Sequence, residues 1–226
     1  MPDLNFQITG VEAAAWGIVP LLHFKLEIGN TPETEDIHSV IVQAQIQIQS
    51  PRRRYNAQEK NRLGELFGPP EQWGQTLRNR LWTHAQVSVP SFAGSAKVIL
   101  PVQCTYDLHI SATKYFHALD EGEIPLLFLF SGTIFYAAPD GRLQVQPISW
   151  DKECEYRMPF ETWRGMMEHH YPNSAWLFLQ KDVFERLYAY KRKHGLATWE
   201  QTVARLLGED DGSLSGVGNE ALAMKP

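Results

Sequence analysis

Between Val42 and Gln49 the chain alternates without a break. Val42, Ala44, Ile46 and Ile48 are apolar, and Gln43, Gln45, Gln47 and Gln49 stand between and after them. A period of two places the two sets on opposite faces of a strand. A slip of one residue would bury the glutamines, so the segment has one register and one inward face. Such a strand needs a second layer over its apolar side.

The same period recurs through the first two-thirds of the chain. Phe6 and Ile8 alternate with Asn5, Gln7 and Thr9, and Leu22, Phe24, Leu26 and Ile28 with His23, Lys25 and Glu27. Asn30-Thr31-Pro32 is a turn signal that predicts a hairpin between the second and third strands. Ala85, Val87 and Val89 continue the pattern, and a longer run extends from Val98 through Cys104 and Leu108 to Ile110, with Pro101 marking a bulge or a sheet edge. Leu126 to Phe130 and Ile134 to Tyr136 are apolar on both faces, which predicts a central strand. Gly132 within it marks a bulge or close packing. Ala138-Pro139-Asp140-Gly141 is a turn into a strand at Leu143 and Val145, and another strand is expected from Lys152 to Tyr156.

Helical signals interrupt and then end this pattern. Asn56 and Glu59 have capping-box spacing, Leu63, Leu66 and Phe67 give one apolar face, and Gly68-Pro69-Pro70 stops the helix. From Pro159 the period becomes helical: Phe160, Trp163 and Met167 share one face, and Val183, Leu187 and Tyr190 share another. Gly195 caps the second helix, and Thr198 with Gln201 opens a third. The expected fold is α+β, a mainly antiparallel sandwich-like body of seven or eight strands with a helical insert and two or three C-terminal helices packed on it. One domain is expected over 1–207, a β-rich body to 157 and a helical cap from 158, the cap covering the outer face of the central strand. Residues 208–226 are Gly-rich and polar and are expected to form a flexible tail.

The chain has 226 residues, 43% hydrophobic and 21% charged, which excludes a mostly disordered polymer. A chain of this size buries roughly 70% of its unfolded surface, so it needs no disulfide or metal staple. Two cysteines, Cys104 and Cys154, fall in strand-like segments and read as packed thiols. The formal net charge of −5 argues against nucleic acid as a partner. No secretory signal or apolar run of membrane-spanning length is visible, so a cytoplasmic location without membrane insertion is expected.

Motifs for chemistry are few. Asp107 and His109 share a strand face in this reading and could serve as two ligands or an acid–base couple, but no third partner is identifiable. His169 and His170 diverge by about 100° on a helix, which prevents joint chelation. No phosphate loop or C-x-x-C pair occurs, so neither metal nor cofactor is expected. The sharpest feature is Arg52, Arg53, Arg54 and Tyr55, followed by Trp73 and Trp82. Arginine with Tyr and Trp is the composition of binding hot spots, and these six residues are the candidate partner-binding site. Replacing the three arginines by alanine should leave folding nearly unchanged, since exposed charges contribute little to stability.

Several stretches carry a family likeness together. They are Pro51 to Tyr55, Glu65-Leu66-Phe67-Gly68, Leu81-Trp82-Thr83-His84, Leu100 to Asp107, Lys114 to Leu119, Ile124 to Tyr136 and Thr198-Trp199-Glu200. Over residues 4 to about 207 the chain resembles an uncharacterised bacterial family of hypothetical proteins, a domain of unknown function. Its members are often encoded near genes of high-affinity nickel–iron hydrogenases. The resemblance therefore implies an accessory role, with a hydrogenase subunit or maturation protein as partner. A remoter fold-level likeness is to the export chaperone that binds unfolded clients on a β-sheet. The favoured expectation is a non-enzymatic binding or assembly module. The alternative is an enzyme whose site is built from strand-borne polar residues such as Asp107 and His109.

Overall fold

The glutamine-flanked segment is the backbone of a five-stranded sheet. A computed structural model of the chain describes residues 1–15, 17–33, 35–105, 110–138, 141–175, 177 and 179–208. They divide into two compact units, Met1–Ser174 and Ala175–Pro226.

In the first unit, β1 (Asp3–Ala13), β2 (Leu21–Thr31) and β5 (Ser95–Gln103) form a three-stranded sheet in the order β1-β2-β5. The larger sheet contains β3 (Ile37–Ile48), β4 (Arg80–Val89), β6 (Glu123–Ala137), β7 (Leu143–Pro147) and β8 (Glu153–Pro159). β3 lies between β4 and β6, while β7 and β8 share the opposite edge of β6 in succession. All these pairings are antiparallel. The sheets meet face to face through aromatic side chains. Phe6 stacks on Phe130 at 4.4 Å, and Phe24 meets Phe128 at 5.2 Å and Trp82 at 6.3 Å, between ring centroids. The fold is the expected α+β, sandwich-like arrangement.

The alternation reads out as burial. Val40, Val42, Ala44, Ile46 and Ile48 are buried; Gln43 is exposed, and Gln45 and Gln47 are half-buried. Gln49 departs from the row: it is buried just past the strand and donates to Glu155 Oε1 at 3.2 Å. β6 is central, as its two apolar faces require. Gly132 in β6 has φ +137°, and a Cβ there would stand 1.9 Å from the carbonyl oxygen of Ile41. Close packing of two strands, not a turn, dictates this glycine. Pro101 lies on β5, which pairs only with β2, so it occupies an edge.

Two local expectations change. β2 and β3 are not a hairpin; they belong to different sheets. Asn30 is buried at the corner and donates through Nδ2 to the carbonyls of Pro32 (3.1 Å) and Glu35 (3.2 Å). Those bonds satisfy a bend that carries the chain from one sheet to the other. The strand expected to reach Ile110 ends at Gln103, and Ile110 opens α3 (Ile110–His117). Ala112, Tyr115, Phe116 and Leu119 are buried, a spacing of three and four that only a helix satisfies.

Connecting helices follow local signals. α1 (Ala57–Phe67) has both halves of the Asn56–Glu59 capping box and stops at Gly68. α2 (Trp73–Thr76) is a single turn. α4 (Phe160–His170) buries Phe160, Trp163, Met166 and Met167 and packs on β1, β2 and β8.

The second unit holds α5 (Lys181–Lys193) and α6 (Trp199–Leu207). They meet through Trp199, whose ring lies 5.4 Å from Phe184 and 6.1 Å from Tyr188. Gly195 (φ +65°) turns the chain between them, and Thr198 and Gln201 complete the second capping box. An apolar cavity of about 540 Å³ opens between the helices, lined by Phe184, Leu187, Trp199 and Val203 among others. The tail expected from 208 lies, beyond Gly208, outside the described residues. Among the described residues no helix is long and apolar enough to cross a membrane.

Candidate functional site

Pro51 ends β3 in a single 3-10 turn (Ser50–Arg52), after which Arg53 takes extended backbone, φ −116° and ψ 144°. Extended backbone sends successive side chains to opposite sides. Arg52 and Arg54 therefore face solvent while Arg53 turns inward.

Arg53 is the anchor. Its Nη2 donates to Glu59 Oε1 at 2.8 Å and to the Glu121 carbonyl, and its Nε donates to the Glu123 carbonyl at 3.1 Å. The Arg53 and Glu59 side chains are only 8% and 3% exposed. Glu59 also accepts from the backbone N–H of Asp120 and of Asn56, each at 3.0 Å. Burial by itself would raise the Glu59 pKa. Arg53 and those two N–H groups outweigh it and hold the carboxyl below its ordinary value. One capping-box residue thus ties three segments together: the arginine loop, α1 and the loop before β6. Arg53 lies over the Tyr55 ring, 5.1 Å from its centroid. The Tyr55 hydroxyl donates to the Ser50 carbonyl at 2.8 Å and stands 2.8 Å from the hydroxyl of Tyr115. Burial pushes both tyrosine pKa values up, so both remain neutral donors.

Above this floor opens a cleft of about 570 Å³ lined by Arg52, Arg53, Arg54 and Arg157, with Glu121 and Glu123 at its side. Arg52 pairs with Glu155, and Arg157 reaches Glu123 only at 4.0 Å. Arg54 forms no ion pair among the described residues. The cleft offers guanidinium donors at short range, a chemistry suited to carboxylates.

The six sequence candidates separate. Arg52, Arg53, Arg54 and Tyr55 do assemble at the cleft. Trp73 is half-buried beneath, donating from Nε1 to the Gly68 carbonyl at 2.9 Å and packing edge-on against Tyr55 and Phe67. Trp82 is in the core, 4% exposed, between Phe24 and Phe116, and presents no surface to a partner. The arginines are not equivalent either: Arg53 is structural, which corrects the expectation that all three are dispensable for folding. Arg157 and the Glu121–Glu123 segment escaped sequence reasoning, because strand pairing within the larger sheet brings them beside the arginine loop, and Glu59 was read only as a helix cap. Asp107 and His109 lie outside the described residues. Cys104 is buried and Cys154 half-buried, and burial pushes the Cys154 thiol up to about 11. His169 and His170 end α4 with rings 5.3 Å apart and nearly perpendicular. Among the described residues no group of three or more His, Cys, Asp or Glu is placed to hold a metal.

Residues 1–214 match the model of a family described as "Family of unknown function (DUF6084)". The chain belongs to this family. The match spans both sheets, the cleft and both helices of the second unit, so DUF6084 describes the whole arrangement rather than one piece of it. No curated protein matches the chain. Among solved structures, a candidate late embryogenesis abundant (LEA) protein is 14% identical over 70% of this chain and 72% of its own, with a TM-score of 0.28. The beta-glucosidase 3B from Thermotoga neapolitana is 12% identical over 69% of this chain and 17% of its own, with a TM-score of 0.24. Neither likeness is close enough to bear on fold or activity.

Proposed function

We propose that the chain is a non-enzymatic binding module that holds a protein partner through the arginine-lined cleft. One observation carries this reading: in a chain of net charge −5, four arginines converge on one open cleft, with a buried Arg53–Glu59 pair fixing its floor. Rigid support beneath exposed arginines lowers the ordering cost of contact, which is how hot-spot arginines gain affinity. The resemblance in sequence supplies a partner class to look for, a nickel–iron hydrogenase subunit or maturation protein.

The test uses the native host and the Arg54→Ala/Arg157→Ala double variant. Both side chains are exposed, so the variant should fold like wild type. Tagged wild type should retain a partner that the variant recovers at least several-fold less well, with the difference shrinking as salt rises. Equal recovery by both baits would remove the cleft from partner binding. Recovery without any hydrogenase component would remove that partner class and leave the module reading standing.

A further inference from the structure

We infer that the ligand group taken by this cleft is a carboxylate, presented by an extended acidic segment of a protein; the inference rests on the binding-module reading above. Two exposed guanidiniums keep donor capacity at the cleft, and a third, buried one keeps an unpartnered nitrogen. Arg54 has no ion pair among the described residues, Arg157 has only the 4.0 Å approach to Glu123, and Arg53 retains a buried Nη1 without any acceptor. A buried unpartnered donor is costly, and native structures rarely keep one without a purpose. Arg53 is more than nine-tenths buried and its other donors are committed to Glu59, Glu121 and Glu123. Arg53 thus forms the fixed floor of the cleft, with one guanidinium nitrogen left unpartnered.

The charge pattern selects among acceptors. Glu59, Glu121 and Glu123 line the same cleft as the arginines. Glu59 is neutralised by Arg53, but a dianionic phosphate, or the backbone of a nucleic acid, would face the Glu121 and Glu123 carboxylates. A planar, singly charged carboxylate accepts two parallel N–H bonds from one guanidinium and meets far less repulsion. The flanking glutamates also disfavour a long uniform polyanion, so one or two acidic side chains on an extended strand of polypeptide are the fit. Arg54 and Arg157 grip the group directly, and Arg53 supports it from below.

A fluorescein-labelled decapeptide of Ser and Gly carrying two Glu at its centre, one residue apart, is the probe, followed by fluorescence anisotropy against the full-length protein. Binding is expected, at least ten-fold weaker for the Gln-for-Glu peptide and for the Arg54→Ala/Arg157→Ala variant. The Arg54→Lys/Arg157→Lys variant keeps the charge but loses the fork, and binding several-fold weaker than wild type is expected. Inorganic phosphate should compete no better than chloride at equal ionic strength. Equal binding of the Gln peptide, full binding by the alanine variant, or no binding of the acidic peptide would overturn the inference. Specific competition by phosphate, or tighter binding of a single-stranded oligonucleotide, would reassign the cleft to phosphate chemistry. If the acidic peptide fails while the alanine variant still loses its native partner, the carboxylate assignment falls and the binding-module reading survives. If the peptide binds and partner recovery is unchanged, the module reading falls and the carboxylate site survives.

Discussion

At the residue scale, three consecutive arginines have opposite consequences. Arg52 and Arg54 are exposed, and an exposed charge contributes about 0–1 kcal/mol. Arg53 neutralises Glu59 where both side chains are more than nine-tenths shielded from solvent, and removing one partner of a buried pair costs about 3–5 kcal/mol. Arg53→Ala should therefore lower the urea midpoint sharply, while Arg54→Ala leaves it within error of wild type. Equal midpoints for the two variants would mean that Glu59 finds other compensation. This distinction was not legible in the sequence, where Pro51-Arg52-Arg53-Arg54 reads as one basic run. What separates them is the extended φ/ψ of Arg53 after the 3-10 turn, and no composition rule reports that.

At the element scale, local signals were read well where the determinants were local. The Asn56–Glu59 and Thr198–Gln201 boxes sit at the helix starts their spacing predicts, because each closes within four residues. The period-two rows became strands for the same reason. The failures arose where the decision is tertiary. The turn at Asn30 links two sheets because its side chain satisfies the carbonyls of a corner, and Ile110 joins a helix because Tyr115 and Phe116 need a buried face. Glu59 shows how one residue serves both levels, as N3 of the α1 cap and as partner of Arg53. Its folded pKa lies below the ordinary value of 4.5, so its stabilising contribution is complete above that pH and disappears as pH falls through the folded value. The gap in unfolding free energy between wild type and Glu59→Gln should be widest above about pH 4.5 and should narrow on acidification. Urea titrations across that range measure it, and a pH-independent gap would place the stabilisation in something other than the charge of Glu59.

For the whole molecule, the sandwich sets the cleft by bringing together segments far apart in the chain. The loop after β3 supplies Arg52, Arg53 and Arg54, the loop before β6 supplies Glu121, the first residue of β6 supplies the Glu123 carbonyl, and β8 supplies Arg157. The pairing of β6 with both β3 and β8 is what aligns these three segments at one end of the larger sheet. Half of the candidate site was visible in the sequence because the arginine loop is contiguous. The other half depends on strand order, which a single sequence does not encode locally. The most direct test of the binding-module account is hydrogen–deuterium exchange on the protein alone and in complex with its captured partner. The expected result is partner-dependent protection of backbone amides in three segments: Ser50 to Asn56 apart from the proline, Asp120 to Ile124, and Glu153 to Met158. Protection confined to other surfaces, with these three segments exchanging as in the free protein, would contradict it.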